Sequence, residues 1–454
     1  MEPNYFVCTL GQASTLQDGP KPYRTISEFL SHQSDQHGSK PAVGLAVPRS
    51  GCDWTYEVFN FKDLDQGARL SASRLSKTFK LTGHEPKTIA LLSHSSAEFL
   101  FTWLGLMRLG HSVLLIAPQC QPAAILHLYK SCQVSLLLHD ISHSARAEET
   151  SALIKGEDID LTVGLIPSQE VEDILQPIDA VLPPLQGQDI DVAYLHHTSG
   201  TSSGLPKPIP QSHRAAIGVL PHLPTDPPKA TFTTTPLYHG GIADAFRAWT
   251  SDAMIWLFPG KDVPITARNI CKCLDIAEKL AANGSCPEVK YFSSVPYVLQ
   301  MMEADKQGLR ALQSMEIVGV GGAALPAEVG DRLVKENVNL ISRFGSAECG
   351  FLLSSYRDFS SDGEWQYLRN YNPMKLLDFE SRDDSLSELV VKPGWPHMVW
   401  RFRADLVLTF TLLTTTRLRR TAMTALLQRL ICSRSTRHST THGFIIPGLT
   451  PSSH

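Results

Sequence analysis

Three stretches of this chain gather side chains able to handle a phosphorylated or carboxylated ligand. The first is His196-His197-Thr198-Ser199-Gly200-Thr201-Ser202-Ser203-Gly204-Leu205-Pro206-Lys207. Its hydroxyls and backbone N–H groups can line one concavity. Gly200 and Gly204 permit positive φ and close backbone approach, and Lys207 adds a cation. That set suits a polyphosphate. The G-x-x-x-x-G-K-[ST] spacing of nucleotide-hydrolase P-loops is absent, and a surface Ser/Gly loop is the alternative reading. The second stretch runs from Thr233 to Gly241. A strand ends at Pro236, and Leu237, Tyr238 and His239 sit on the turn ahead of Gly240 and Gly241. A Tyr-His pair at a strand end is by itself a common structural feature. The third is Ser342-Arg343-Phe344-Gly345-Ser346-Ala347-Glu348-Cys349-Gly350. Alone, Glu348 reads as a surface carboxylate after a turn.

The elements that must hold these stretches follow from periodicity. Val192 to Leu195 is a short apolar strand leading into the first stretch. Upstream, strands at 88–92, 112–116 and 134–138 alternate with helices at 96–109 and 122–132. Such alternation implies parallel βαβ units with helices covering the sheet. A helix begins at Thr25 or Ser27, strands are expected near 40–47 and 53–61, and helical spacing returns from Phe61 to Leu75. Residues of about 140 to 190 are polar and proline-broken and read as a variable connection. Gln211-Ser212-His213-Arg214 reads as a helix start, with a cap and a surface His213. Tyr291 to Met302 reads as a strand turning into a helix at Pro296. Glu316 to Pro326 reads as a strand followed by a Gly-rich turn at Gly321, Gly322 and Ala323.

Composition narrows the class. The chain has 454 residues, 43% hydrophobic and 19% charged, which fits an ordinary globular protein of two or three domains. A net charge of -4 argues against nucleic acid as the main partner. The nine cysteines form no C-x-x-C pair and read as reduced thiols of a cytoplasmic protein. The longest apolar stretch, Phe99 to Pro118, is broken by Arg108 and His111, so no membrane span is expected.

Taken together and in order, these motifs resemble the adenylate-forming superfamily, and in particular fungal peptide-synthetase-like adenylation domains and acyl-CoA ligases. The family's loop runs Thr-Ser-Gly-Ser/Thr-Thr-Gly-x-Pro-Lys-Gly. Thr198 to Thr201 and Gly204 to Lys207 match it, with one extra residue in the Ser202-Ser203 segment and Pro208 where Gly is commonest. The resemblance covers about residues 20 to 400 and implies an α/β fold of two stacked αβαβα subdomains plus the start of a small β-barrel. It implies ATP and Mg2+ as cofactors, a small carboxylic acid substrate, and CoA or a separate phosphopantetheinyl carrier protein as acceptor. It places Lys207 and the loop from Thr198 to Gly204 on the phosphates, with Thr201 and Glu348 at the magnesium. It places His239 beside the carboxylate, with Gly240 and Gly241 leaving room for substrate. It lays adenine against Gly321, Gly322 and Ala323, stacks it on Phe344, and puts Gly345, Ser346 and Ala347 beside the nucleotide. Ala347 stands where a Thr hydroxyl usually meets the α-phosphate, with Ser346 or a water as its substitute. Tyr238-His239 occupies the place where amino-acid-activating relatives carry an ammonium-binding Asp, which implies an acid without an α-amine. Asp244 lies five residues on, in the following helix.

The resemblance implies subdomains at 20–190 and 191–345, the second carrying the phosphate loop, and a partial β-barrel at 346–400. Residues 401–454 read as an atypical tail, disordered or read from a shifted frame or retained intron, since no Asp or Glu follows Asp405. The ribose-binding Asp and the catalytic Lys of the family's small C-terminal domain find no match, so that domain is expected to be missing. A truncated chain that binds a ligand or partner without chemistry is the alternative to an active ligase.

Overall fold

The computed structural model describes residues 2–16, 19–49, 54–81, 85–154, 161–168, 187–198, 205–370, 374–381, 386–397 and 408–413, with isolated positions 173, 182, 184 and 185. Its strands in chain order are β1 (Pro41–Val47), β2 (Thr55–Asn60), β3 (Thr88–Leu92), β4 (Ser112–Ile116), β5 (Val134–His139), β6 (Thr162–Leu165), β7 (Val192–His197), β8 (Pro208–Ser212), β9 (Lys229–Thr233), β10 (Ile255–Leu257), β11 (Glu288–Ser294), β12 (Ile317–Val320), β13 (Leu340–Ser346), β14 (Gly350–Ser354), β15 (Leu377–Ser381), β16 (Leu386–Val391) and β17 (Leu408–Leu413). They form a first sheet of order β6-β5-β3-β4-β7-β8, a second of order β14-β13-β12-β11-β9-β10-β1-β2, and a three-stranded sheet β15-β16-β17. The inner strands of both large sheets are parallel.

Side-chain alternation explains the layers. Ile89 and Leu91 of β3, and Val113 and Leu115 of β4, join one core with Ile255 and Leu257 of β10 from the second sheet. The opposite faces, Ala90, Leu92, Leu114 and Ile116, pack on Ile125 and Leu128 of the helix Pro122–Ser131 and on Ala147 of the helix Ser144–Ile154. On the far side of the second sheet, Phe232, Trp256 and Val318 pack on the helices Ala267–Ala282 and Pro296–Ala304. The helix Ala97–Arg108 is buried at every position from Phe99 to Met107, because it lies in the central layer. Two sheets buried on both faces give the five stacked layers that the sequence predicts.

Local signals set the helix starts. Thr25 caps the helix Ile26–His37 in a reciprocal capping box with Glu28. Ser96 caps the helix Ala97–Arg108.

Several expectations are corrected. The sheets do not divide the chain at residue 190: β1 pairs with β10 of the second sheet, while β7 and β8 complete the first. The stretch read as a connection contains the helix Ser144–Ile154 and the edge strand β6. The strand β14 extends the second sheet rather than a barrel. Residues 408–413, expected within the disordered tail, form β17 and pair antiparallel with β16. His213 is buried rather than exposed, and its Nδ1 accepts the Ile26 N–H at 3.1 Å. A segment that the sequence reading passed over, Tyr5 to Leu10, is buried. There Phe6 stacks on Tyr291 at 5.2 Å. Among the described residues no helix is long and apolar enough to cross a membrane.

Candidate active site

The first stretch closes a β-hairpin. β7 and β8 are antiparallel, with His197 opposite Pro208 and His196 opposite Ile209. Thr198 N–H donates to the Lys207 carbonyl at 3.0 Å, and Lys207 N–H donates to the Thr198 hydroxyl at 3.2 Å. The two ends of the phosphate-loop candidate are thus clamped together. Ser199, Gly200, Thr201, Ser202, Ser203 and Gly204 lie outside the described residues. The sequence reading missed β8 because Pro208 and Pro210 argue against a strand. They are tolerated because β8 is the sheet edge.

Two histidines at the end of β7, quoted but given no role from sequence, lock the neighbouring turn. His197 Nε2 accepts the Ala117 N–H at 3.1 Å, which leaves its Nδ1–H to donate to the Thr198 carbonyl at 3.1 Å. That is a neutral tautomer defined by its partners. His196 Nδ1 lies 3.3 Å from the Tyr238 carbonyl and ties the hairpin to the Tyr238-His239 turn. The turn is held from its other side by Ser95, whose hydroxyl oxygen accepts the Leu237 N–H at 3.0 Å.

His239 follows on this turn, its ring 6.3 Å from that of His197. Burial pushes His239 down to about 4, with His197 adding to the shift. Burial, then His239, pushes His196 down to about 3. Both are neutral imidazoles at pH 7. Gly241 makes room for the protein itself rather than for substrate: a Cβ there would collide with the Thr235 carbonyl.

The third stretch leaves β13 as a tight turn into β14. Gly345 lies where a Cβ would strike the Gly350 carbonyl, so the turn can close only on glycine. Ser346 Oγ accepts the Cys349 N–H at 3.1 Å, so the hydroxyl expected to stand in for the family's Thr is engaged within the turn. Glu348, half-buried, forms no ion pair among the described residues. Gln211 of β8 donates from Nε2 to the Ala347 carbonyl. Trp395 Nε1–H donates to the Cys349 carbonyl at 2.8 Å. The Glu348 turn is thereby fastened to the β7–β8 hairpin. Gln211 Oε1 is buried without a hydrogen-bond partner among the described residues.

The remaining sequence candidates divide. Gly321, Gly322 and Ala323 form the turn after β12, with Gly322 and Ala323 exposed, so that backbone is open to a flat ligand. Phe344 is 4% exposed and belongs to the central core. The ring expected to stack on adenine presents no open face.

Asp244, on the helix Gly241–Trp249, is committed elsewhere. Its Oδ1 lies 3.0 Å from Arg343 Nη2, and its Oδ2 accepts from Ser293 Oγ at 2.6 Å and Thr233 Oγ1 at 3.2 Å. The Arg343 guanidinium rests over Phe6 at 4.6 Å and Phe351 at 5.0 Å.

A model of the family described as AMP-binding enzyme matches residues 30–374. The adenylate-forming reductase stbB of Stachybotrys bisbyi is 27% identical over 302 residues, 65% of this chain and 27% of that protein. A carboxylic acid reductase of Neurospora crassa is 23% identical over 366 residues, 74% of this chain and 32% of that protein. The chain thus spans under a third of the length of these relatives. Among solved structures, the anthranilate CoA ligase AuaEII in complex with anthranoyl-AMP shares the fold with a TM-score of 0.64. It is 19% identical, and the match covers 89% of this chain and 77% of that one. With the clamped hairpin, the histidine turn and the Glu348 turn following one another as that family's motifs do, the chain belongs to the AMP-binding enzymes, the adenylate-forming family.

Proposed function

We propose that this chain activates a small carboxylic acid: the carboxylate attacks the α-phosphate of ATP, acyl-AMP forms and pyrophosphate leaves. The observation that carries this reading is convergence. The hairpin ends at Thr198 and Lys207, the His239 turn and the Glu348 turn come from three separate stretches and are tied together through His196 and Gln211. Lys207 and backbone N–H groups would meet phosphate oxygens, and neutral His239 would border the carboxylate. Glu348, in no ion pair among the described residues, offers a carboxylate of the kind a hard divalent cation takes. Bound Mg2+ would neutralise charge on the phosphates. Transfer to CoA or to the phosphopantetheine thiol of a separate carrier protein is the second half of the proposal.

The substrate carries no α-amine. The acidic side chain that follows His239, Asp244, is already neutralised by Arg343 and two hydroxyls. ATP–pyrophosphate exchange with aryl, fatty and amino acids tests this. Exchange with aryl or fatty acids supports it, and a preference for amino acids overturns the substrate class. A second reading, a ligand-binding chain with little turnover, is favoured by the burial of Phe344 and by Ala347, which has no hydroxyl. Calorimetry showing MgATP binding, with no exchange for any acid, would select it.

A further inference from the structure

The first sheet reverses its winding beside β3. From β3 the chain crosses to β4 on one side, then returns past β3 to β5 and on to β6. The helix after β3 belongs to the central layer and the helix after β5 to the outer one. Chain therefore departs to opposite faces from two adjacent parallel strands, with Leu92 in register with His139. A crevice opens at such a reversal, beyond the carboxyl ends of the strands, and that is where open α/β sheets take ligands.

His94, Asp140 and His143 lie at this reversal. His94 lies two residues past β3, and Asp140 and His143 lie on the short turn after β5. One donor atom from each lies within 4.8 Å of the others. Asp140 Oδ2 is 3.2 Å from His94 Nδ1, and Asp140 Oδ1 is 2.6 Å from His143 Nδ1. The imidazole rings are 4.5 Å apart. With metal–ligand bonds of about 2.0–2.1 Å, the edge of a zinc tetrahedron is roughly 3.3 Å. The Asp140–His94 separation of 3.2 Å already matches that edge, and the 2.6 Å Asp140–His143 hydrogen bond would open to it on binding.

The carboxylate is also preset. Asp140 is fully buried, and its Oδ2 accepts the His94 N–H at 2.9 Å and the Ser93 hydroxyl at 3.1 Å. Its side chain therefore cannot turn away. The His143 side chain is 7% exposed and that of His94 31%, so the cluster opens to solvent on the His94 side only. Ser142 Oγ, 3.2 Å from both Nδ1 atoms, occupies the space between the rings.

We infer that His94, Asp140 and His143 form a binding site for one transition-metal dication of the zinc class, remote in sequence from Glu348. Two imidazoles and one carboxylate favour zinc, cobalt or nickel over magnesium and calcium, which prefer all-oxygen shells. The open side leaves a fourth position for water. The next residue, Ser95, accepts the Leu237 N–H at 3.0 Å, so the metal would brace the segment that holds the Leu237-Tyr238-His239 turn.

The test is a Co2+ titration of the full chain, freed of metals, followed by its visible d–d absorption and by competition with Zn2+. One equivalent is expected to bind, to be displaced by Zn2+, and to bind at least tenfold more weakly in His94→Gln and in His143→Gln. His127→Gln, at a half-buried histidine on the helix Pro122–Ser131, should bind as the unaltered chain does. Melting curves in chelator establish that each variant is folded. If His143→Gln does not fold, the partly exposed His94→Gln decides alone. The inference is overturned if the unaltered chain shows no one-equivalent band, or if the band persists unchanged in His94→Gln.

Discussion

Replacing Asp244 by Ala separates a structural acid from a substrate-binding one. Asp244 and Arg343 have side chains 7% and 12% exposed, with 3.0 Å between Oδ1 and Nη2. The substitution removes the only anion in an ion pair with that guanidinium among the described residues, together with bonds from Ser293 and Thr233. A second buried cation, Arg247, stands close by. Burial, then Arg343, pushes it down to about 10. Breaking a buried pair from one side costs about 3–5 kcal/mol, because the surviving charge stays buried. Stacking on Phe6 and Phe351 and the Ser293 contact at Arg343 Nη1 persist, which favours the lower end, about 3 kcal/mol. In urea this corresponds to a midpoint shift of about 1–2 M. The shift is read on tryptophan fluorescence, since Trp249 and Trp256 are fully buried and a chain of this size unfolds in more than one step. Adding Arg343→Met to Asp244→Ala should restore most of the loss, with a coupling above about 2 kcal/mol in the double-mutant cycle. The reasoning is refuted if Asp244→Ala costs under about 1 kcal/mol while abolishing exchange with an amino acid, because Asp244 would then serve a ligand.

Three further outcomes follow from particular contacts. Glu348→Gln should lower the adenylation rate by roughly 10²-fold or more while leaving the melting temperature unchanged, as expected for a group that acts on developing charge, and pyrophosphate exchange measures it. His213 is held at about 4 by burial, opposed by nearby Asp191, Glu28 and Asp189. Its folded value lies below its unfolded value of 6.5. Stability should therefore be full above about pH 6.5, fall by up to about 3 kcal/mol toward pH 4, and level off below, and His213→Gln should flatten this slope in urea titrations. Gly330→Ala, on the buried face of the helix Ala327–Lys335, would by helix propensity alone stabilise by about 1 kcal/mol. Here the added methyl would enter the Trp365 ring, so overpacking of about 1–3 kcal/mol should lower the melting temperature instead.

What the sequence by itself determined is local. Continuous apolar runs in Thr88–Leu92 and Ser112–Ile116 specify strands buried on both faces, and Thr25-x-x-Glu28 specifies a helix start. The ordered motifs at 198–207, 236–239 and 344–348 pointed to one family. Tertiary structure decided the rest. β1 precedes β3 in the chain, yet it pairs in the other sheet, because apolar periodicity states which face is buried and not which face it meets. Gln211 reaches Ala347 across 136 positions, and Arg343 reaches Asp244 across 99. No local pattern encodes either distance. Phe344, the residue after Arg343 in β13, is buried in the core, so a motif legible in sequence met a different environment in the fold. Propensity and spacing act over a few residues. The partners of a buried charge, and the open or closed face of a ring, are set by the packing of elements far apart in the chain.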